Sequence, residues 1–162
     1  MNAGGTQGRR ASTNLDHRTR GRELALKYLY QYDIRRAADP EPFDSFAAHL
    51  EEGGSVAAFA RHLVEGVLAA KESIDARIQK LARNWTLARM AITDRNIIRL
   101  GTFELDSDRT THPNVIISEA VELGKKFSTA QSGKFINGIL DKLRPAATVA
   151  EPSGPPIPTP KE

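Results

Sequence analysis

With 162 residues, 40% of them hydrophobic, no cysteine and a net charge of +3, the chain is large enough for one domain with a real core and too small for two of ordinary size. The missing thiols exclude disulfides, thiolate metal sites and thiol nucleophiles. No apolar run approaches the roughly 20 residues that a bilayer requires, and no apolar segment follows Met1 as a secretory leader would, so a soluble cytoplasmic protein is expected.

The charge is uneven along the chain. Residues 1–22 hold Arg9, Arg10, Arg18, Arg20 and Arg22 against Asp16 alone, a net +4, so the remaining 140 residues sum to −1. A basic block ahead of a neutral body is the footprint of a phosphate-binding arm, and equally of a solvated tail that carries arginines. Residues 1–17 contain Gly4, Gly5, Gly8, Ser12 and Asn14 and little apolar surface, so they are expected to be disordered when free.

Helical periodicity follows. Leu26, Leu29, Tyr30 and Ile34 form one stripe, and Phe43, Phe46, Ala47 and Leu50 the next, with Pro42 at its start and Gly53-Gly54 expected to end it. Ser55 reads as the cap of a third helix (Phe59, Leu63, Val64, Val67), and Ser73 as the cap of a fourth (Ile74, Ile78, Leu81). A turn spans Trp85 to Met90, and a helix carrying Ile97, Ile98, Gly101 and Leu105 is expected to begin at Thr93 or Asp94. Beyond the connector broken by Pro113, Ile116, Ala120, Leu123 and Phe127 mark the penultimate helix. Phe135, Ile136, Ile139, Leu140 and Leu143 mark the last. From Pro145 onward lie six of the nine prolines, which read as an extended, solvated tail. No stretch alternates at period two over a strand's length. The fold class is all-α, a single-domain bundle of about seven helices over residues 18–144, flanked by a basic arm (1–17) and a proline-rich tail (145–162).

Catalytic constellations are missing from the pattern. His17, His49, His62 and His112 are scattered without metal-ligand spacing, and neither Gly124-Lys125-Lys126 nor Gly133-Lys134 completes a phosphate loop after a strand. Glu119 and Glu122 share a helix face with no nucleophile beside them, and Asn84-Trp85-Thr86 is an accidental glycosylation match in a chain without a leader. No metal, cofactor or enzymatic activity is expected. Binding chemistry is better supported. Lys134 and Phe135 set a cation beside an aromatic ring in a polar turn at the mouth of the last helix, the pair of groups that holds single-stranded RNA by charge and stacking. Phe135 also shares a helical face with Ile139 and Leu143, which reads as core.

Three blocks together resemble a known family: Arg18-Thr-Arg-Gly-Arg-Glu-Leu-Ala-Leu-Lys-Tyr-Leu-Tyr-Gln31, Asp94-Arg-Asn-Ile-Ile-Arg-Leu-Gly-Thr-Phe-Glu-Leu105, and Pro113 to Leu143. In the last block, Ser118-Glu-Ala-Val-Glu-Leu and Lys134-Phe-Ile-Asn-Gly-Ile-Leu-Asp-Lys-Leu are similar to the pattern of the bacterial antitermination factor family NusB. The resemblance implies an all-helical protein that binds boxA RNA, a short single-stranded element of leader transcripts such as those of ribosomal RNA operons. It also implies action beside the ribosomal protein NusE in an antitermination complex on RNA polymerase, with a homodimer as a further expectation. By position it places Arg18, Arg20 and Arg22 in an RNA-binding arm, Gln131, Lys134 and Phe135 in an RNA-contacting turn, and Tyr30 and Asp94 at the NusE interface. Ser118 stands where the family has Asn, and Gln131 where many members carry an acid, which removes a charge opposed to phosphate. Two other classes compete: the RNA-binding domain of an rRNA cytosine methyltransferase, which would need a cofactor domain and a catalytic cysteine, and a protein-only interaction module.

Overall fold

The computed structural model describes residues 6–35 and 39–145, with side chains from Asn14 onward. These residues form six α-helices and one 3-10 turn: α1 Thr6–Ile34, α2 Phe43–His49, α3 Gly54–Leu81, the turn Leu87–Arg89, α4 Ile92–Ser107, α5 Pro113–Phe127 and α6 Ala130–Leu143. No strand occurs among the described residues, so the fold is the expected all-α bundle. None of its helices is long and apolar enough to cross a membrane. The tail from residue 146, and residues 1–5 of the arm, lie outside the described residues.

Several elements depart from expectation for local reasons. The first helix, read from its apolar stripe at Leu26 to Ile34, begins at Thr6, within the arm expected to be disordered when free. Once a helix is nucleated by its buried part, each further residue adds a hydrogen bond at small cost, and Gln7, Arg9, Arg10, Ala11 and Leu15 are good formers with no proline among them. The two helices expected from Ser55 and Ser73 are one. Ser73 Oγ donates back to the Ala70 carbonyl at 3.0 Å instead of capping a new start. Its neighbours Ile74 and Ile78 continue the buried stripe of Val56, Ala60, Leu63, Val64 and Val67. α2 ends before the two glycines: Glu51 takes the left-handed conformation (φ 57), and the Glu51 and Glu52 amides close the helix on the Ala48 and Ala47 carbonyls. Gly53 then caps α3, and Gly54 enters it with φ +59, a conformation that favours glycine.

α4 is the central element, packed against α1, α3, α5 and α6. Residues Asn96 through Thr102 are buried without a break, followed by Glu104 and Leu105. A helix surrounded on all sides is normally apolar all round. This one buries Asn96, Arg99 and Glu104, and each is matched. Arg22 of α1, 2% exposed, grips Glu104 through Nε and Nη2 at 2.8–3.1 Å, and its Nη1 lies 3.7 Å from Glu119 of α5. Arg99 donates to Asp33 of α1 at 2.9 Å and bidentately to Asp75 of α3 at 2.7 and 2.9 Å. Burial alone would raise the Asp33 carboxyl, but the Arg95 hydrogen bond, the Arg99 charge and the Asn96 amide hold it below the ordinary aspartate range.

α6 is seated by bare backbone. A Cβ added at Gly101 of α4 would fall 2.7 Å from Leu140 Cδ1, and one at Gly124 of α5 would fall 2.6 Å from Ile136 Cδ1. Both approaches are closer than real side-chain carbons tolerate, so these glycines set how deeply α6 sinks into the bundle.

Removing one member of a buried ion pair strands the other charge, so Arg22→Ala is expected to cost about 3–5 kcal/mol in urea unfolding. Arg20 meets Glu52 at the surface, and Arg20→Ala should cost under about 1 kcal/mol. Similar small losses for both variants would contradict a structural role for Arg22.

Candidate nucleic-acid interface

Most basic side chains of the bundle are neutralised by carboxylates. Arg18 pairs with Asp108, Arg20 with Glu52, Lys125 with Glu122, Lys126 with Glu23, and Arg95 and Arg99 with Asp33. Among the described residues, Lys27, Arg35, Lys80, Arg83, Arg89, Arg109, Lys134 and Lys142 have no such partner. Half of these, Arg83, Arg89, Lys134 and Lys142, surround two ring-bearing residues, Trp85 and Phe135, on one side of the molecule.

Side-chain staples hold both segments of this surface. Gln79 of α3 fastens the loop after it: its Nε2 donates to the Trp85 carbonyl at 3.2 Å, and its Oε1 accepts from the Leu87 amide at 3.1 Å. The Trp85 backbone is therefore fixed while its side chain stands in solvent, with the residue 57% exposed. On the other segment, Thr129 caps α6 by accepting from the Ser132 amide at 3.1 Å. Ser132 Oγ donates to Asp94 Oδ2 in the first turn of α4 at 3.0 Å. The start of α6, with Gln131, Lys134 and Phe135, is thus tied to the start of α4.

Two adjoining hollows result. The first, about 290 Å³, is lined by Trp85, Arg89, Asp94, Gln131, Ser132 and Phe135. Asp94 Oδ1 is buried without a hydrogen-bond partner among the described residues, and Gln131 lines the same hollow. The second, about 250 Å³, runs along Arg83, Trp85, Lys134, Phe135, Gly138 and Lys142. Flat rings, an amide, an unpaired acceptor and unpaired cations are the groups that hold unstacked bases and their phosphates.

The expected site residues do not form one group. Gln131, Lys134 and Phe135 come together, and Phe135 is both partly buried against the core and part of each hollow. Asp94 lies with Gln131 and Phe135, whereas Tyr30, expected beside it, lines a different hollow. Tyr30 is 42% exposed, and its hollow of about 500 Å³ is walled by Leu26, Phe46, Leu50 and Phe127. Of the three arginines, Arg20 alone presents an exposed guanidinium; its side chain is 55% accessible. Arg18 is held by Asp108 at 3.2 Å and Thr111 at 2.8 Å, with its guanidinium over the Phe59 ring. Arg22 is sealed inside the bundle, so its placement in an RNA-contacting arm is corrected: its charge is already spent on Glu104. Arg9 and Arg10 lie before the first described side chain. Sequence reasoning missed Trp85, Arg83, Arg89 and Lys142. The available signal was a lone tryptophan in a polar turn flanked by two arginines, which was read only as a turn.

The four histidines serve local ends. His17 shares a hydrogen bond with Ser55, His49 faces Glu41, His62 tilts against Phe103, and His112 caps α5 by accepting from the Asn114 amide.

Comparison with known proteins places this arrangement. The NusB family model matches residues 19–145. The transcription antitermination protein NusB of Desulforapulum autotrophicum is 41% identical over 129 residues, covering 78% of this chain and 90% of that protein. Its counterpart from Myxococcus xanthus is 42% identical over 130 residues, covering 78% and 93%. Among solved structures, T. maritima NusB superposes with a TM-score of 0.69 at 32% identity, covering 78% of this chain and 89% of that one. A NusB chain from a complex of antitermination factors NusB and NusE with double-stranded RNA gives 0.70 at 28% identity, covering 79% and 96%. On the matched family model and these identities, the chain belongs to the NusB family.

Proposed function

We propose that this chain is a transcription antitermination factor that binds boxA-type RNA across the Trp85–Phe135 surface and meets a NusE-type ribosomal protein at the apolar hollow around Tyr30. The observation that carries the RNA half is the gathering of four unpaired cations around two aromatic residues, on a body whose other charges are largely matched. Exposed rings favour a single strand, because a side chain stacks only on a base whose face is free. The exposed Gln131 amide adds a polar group that can meet a base edge in the first hollow, which Asp94 also lines. Residues 18–144 form the binding body, and Arg9 and Arg10 of the arm add phosphate contacts that strengthen binding without reading sequence, joined by Arg20 where it exchanges Glu52 for a phosphate.

The Tyr30 hollow has a different character. Its walls are mainly aliphatic and aromatic, with Lys27, Gln31 and Thr93 among them, and Tyr30 offers a rigid ring with a polar tip, the kind of anchor that dominates protein interfaces. A relative crystallised with NusE and double-stranded RNA supports both kinds of partner. The assembled pair joins RNA polymerase as a binding component, not as a catalyst. Without the ribosomal protein, a second copy of this chain would pack on the same apolar hollow.

Titration with boxA RNA and with a scrambled strand tests the first surface. Phe135→Ala is expected to weaken boxA binding by about 1–3 kcal/mol, the range for one stacked base, while Phe135→Trp retains it. Normal boxA binding by Phe135→Ala would remove that ring from the site. For the second surface, Tyr30→Ala should reduce NusE binding while shifting unfolding free energy by no more than about 0.5 kcal/mol, as befits an exposed position. A large stability loss, or unchanged NusE binding, would sink the assignment of Tyr30.

A further inference from the structure

The second hollow has its own character. Every charged residue that lines it is basic: Arg83, Lys134 and Lys142. At Gly138 no atom lies within 4 Å of where a Cβ would sit, so part of its floor is bare backbone open to close approach. Trp85 belongs to both hollows and is mostly exposed on a loop that Gln79 pins in place. A planar ring standing between two adjoining hollows is positioned to take a base on its face while the strand continues past it.

We propose that Trp85 and this trough form a second nucleotide subsite, which takes the neighbouring residue of the same RNA strand: its base stacks on Trp85, and its phosphate lies among Arg83, Lys134 and Lys142. This deepens, and rests on, the reading of the first hollow as an RNA site. The two subsites differ in what they sense. The first contains Asp94 and Gln131 and can discriminate among base edges. The second offers a π-face and cations, which every base and phosphate satisfies, so it contributes affinity with little sequence preference. Successive nucleotides are thereby divided between one that is read and one that is gripped.

Because Trp85 is the sole tryptophan, its fluorescence reports the subsite directly. Arg83 and Lys142 line the trough and not the first hollow, so they isolate it. A boxA-containing single-stranded RNA is titrated into the full chain, with Trp85 emission and RNA anisotropy followed in parallel and urea midpoints as a folding control. Binding should quench the emission. Trp85→Ala should weaken affinity about 5- to 150-fold, the equivalent of one lost stack. The Arg83→Gln/Lys142→Gln double variant should flatten the salt dependence by about 0.7, the value for one phosphate contact on a single strand. Replacing bases one at a time should locate one position whose identity changes affinity and a neighbour whose identity does not. Wild-type binding with unchanged Trp85 emission and an unchanged salt slope in the double variant would overturn the subsite, while loss in Phe135→Ala would leave the first hollow standing. No anisotropy change with the wild-type chain would overturn both.

Discussion

The pairing of Arg22 with Glu104 inside the bundle fixes the relation of α1 to α4, and the rest of the molecule is assembled around α4. A guanidinium and a carboxylate removed from water are tolerated together only when each meets the other in good geometry, so the pair admits one register between the two helices. Arg99 repeats the device one turn earlier on α4, joining Asp33 of α1 and Asp75 of α3. Two charged links along the same two helices leave little freedom for sliding. With α4 set, Asp94 at its start receives Ser132, and the first turn of α6 is held where Gln131, Lys134 and Phe135 reach the surface.

That internal matching of charge has an external consequence. A surface arginine already bound to a carboxylate must exchange that partner for a phosphate, and gains little by doing so. An unpaired arginine or lysine gains the full contact and releases counterions from the nucleic acid. The basic groups around Trp85 and Phe135 are of the second kind, whereas Arg18, Arg20 and Arg22 are of the first. Affinity for RNA is therefore expected where charges remain unmatched, and not simply where arginines are dense along the chain.

The fold class and the apolar stripes of the last two helices were legible in the sequence because helical spacing acts locally, whereas the starts at Pro113 and at the Thr129 cap appear only in the structure. The single long α3 was not: Ser73 suits a helix cap and a back-bonded interior position equally, and the choice between them is made by packing of Ile74 and Ile78. The arm was misread for a similar reason. Arg22 looks like Arg18 and Arg20 until the partner 82 residues away is seen beside it. Gln131, Lys134 and Phe135 were found because they are near neighbours in sequence, and the first turns of α6, rather than the expected polar turn, bring residues three and four apart onto one face. Trp85 was missed because its companions come from α6, and only the tertiary fold brings the loop after α3 to that helix. The separation of Asp94 from Tyr30 is likewise a tertiary fact, since the two residues lie on different helices and line different hollows.

The central claim is that RNA binds where the unmatched cations and exposed rings meet. Mapping amide chemical shifts on the full chain during titration with single-stranded boxA RNA tests it most directly. The account predicts that the largest changes fall on residues 83–91 and 129–142, with Arg22 and its surroundings unmoved. Changes concentrated along the arginines of α1, with the Trp85 loop and the start of α6 silent, would contradict it.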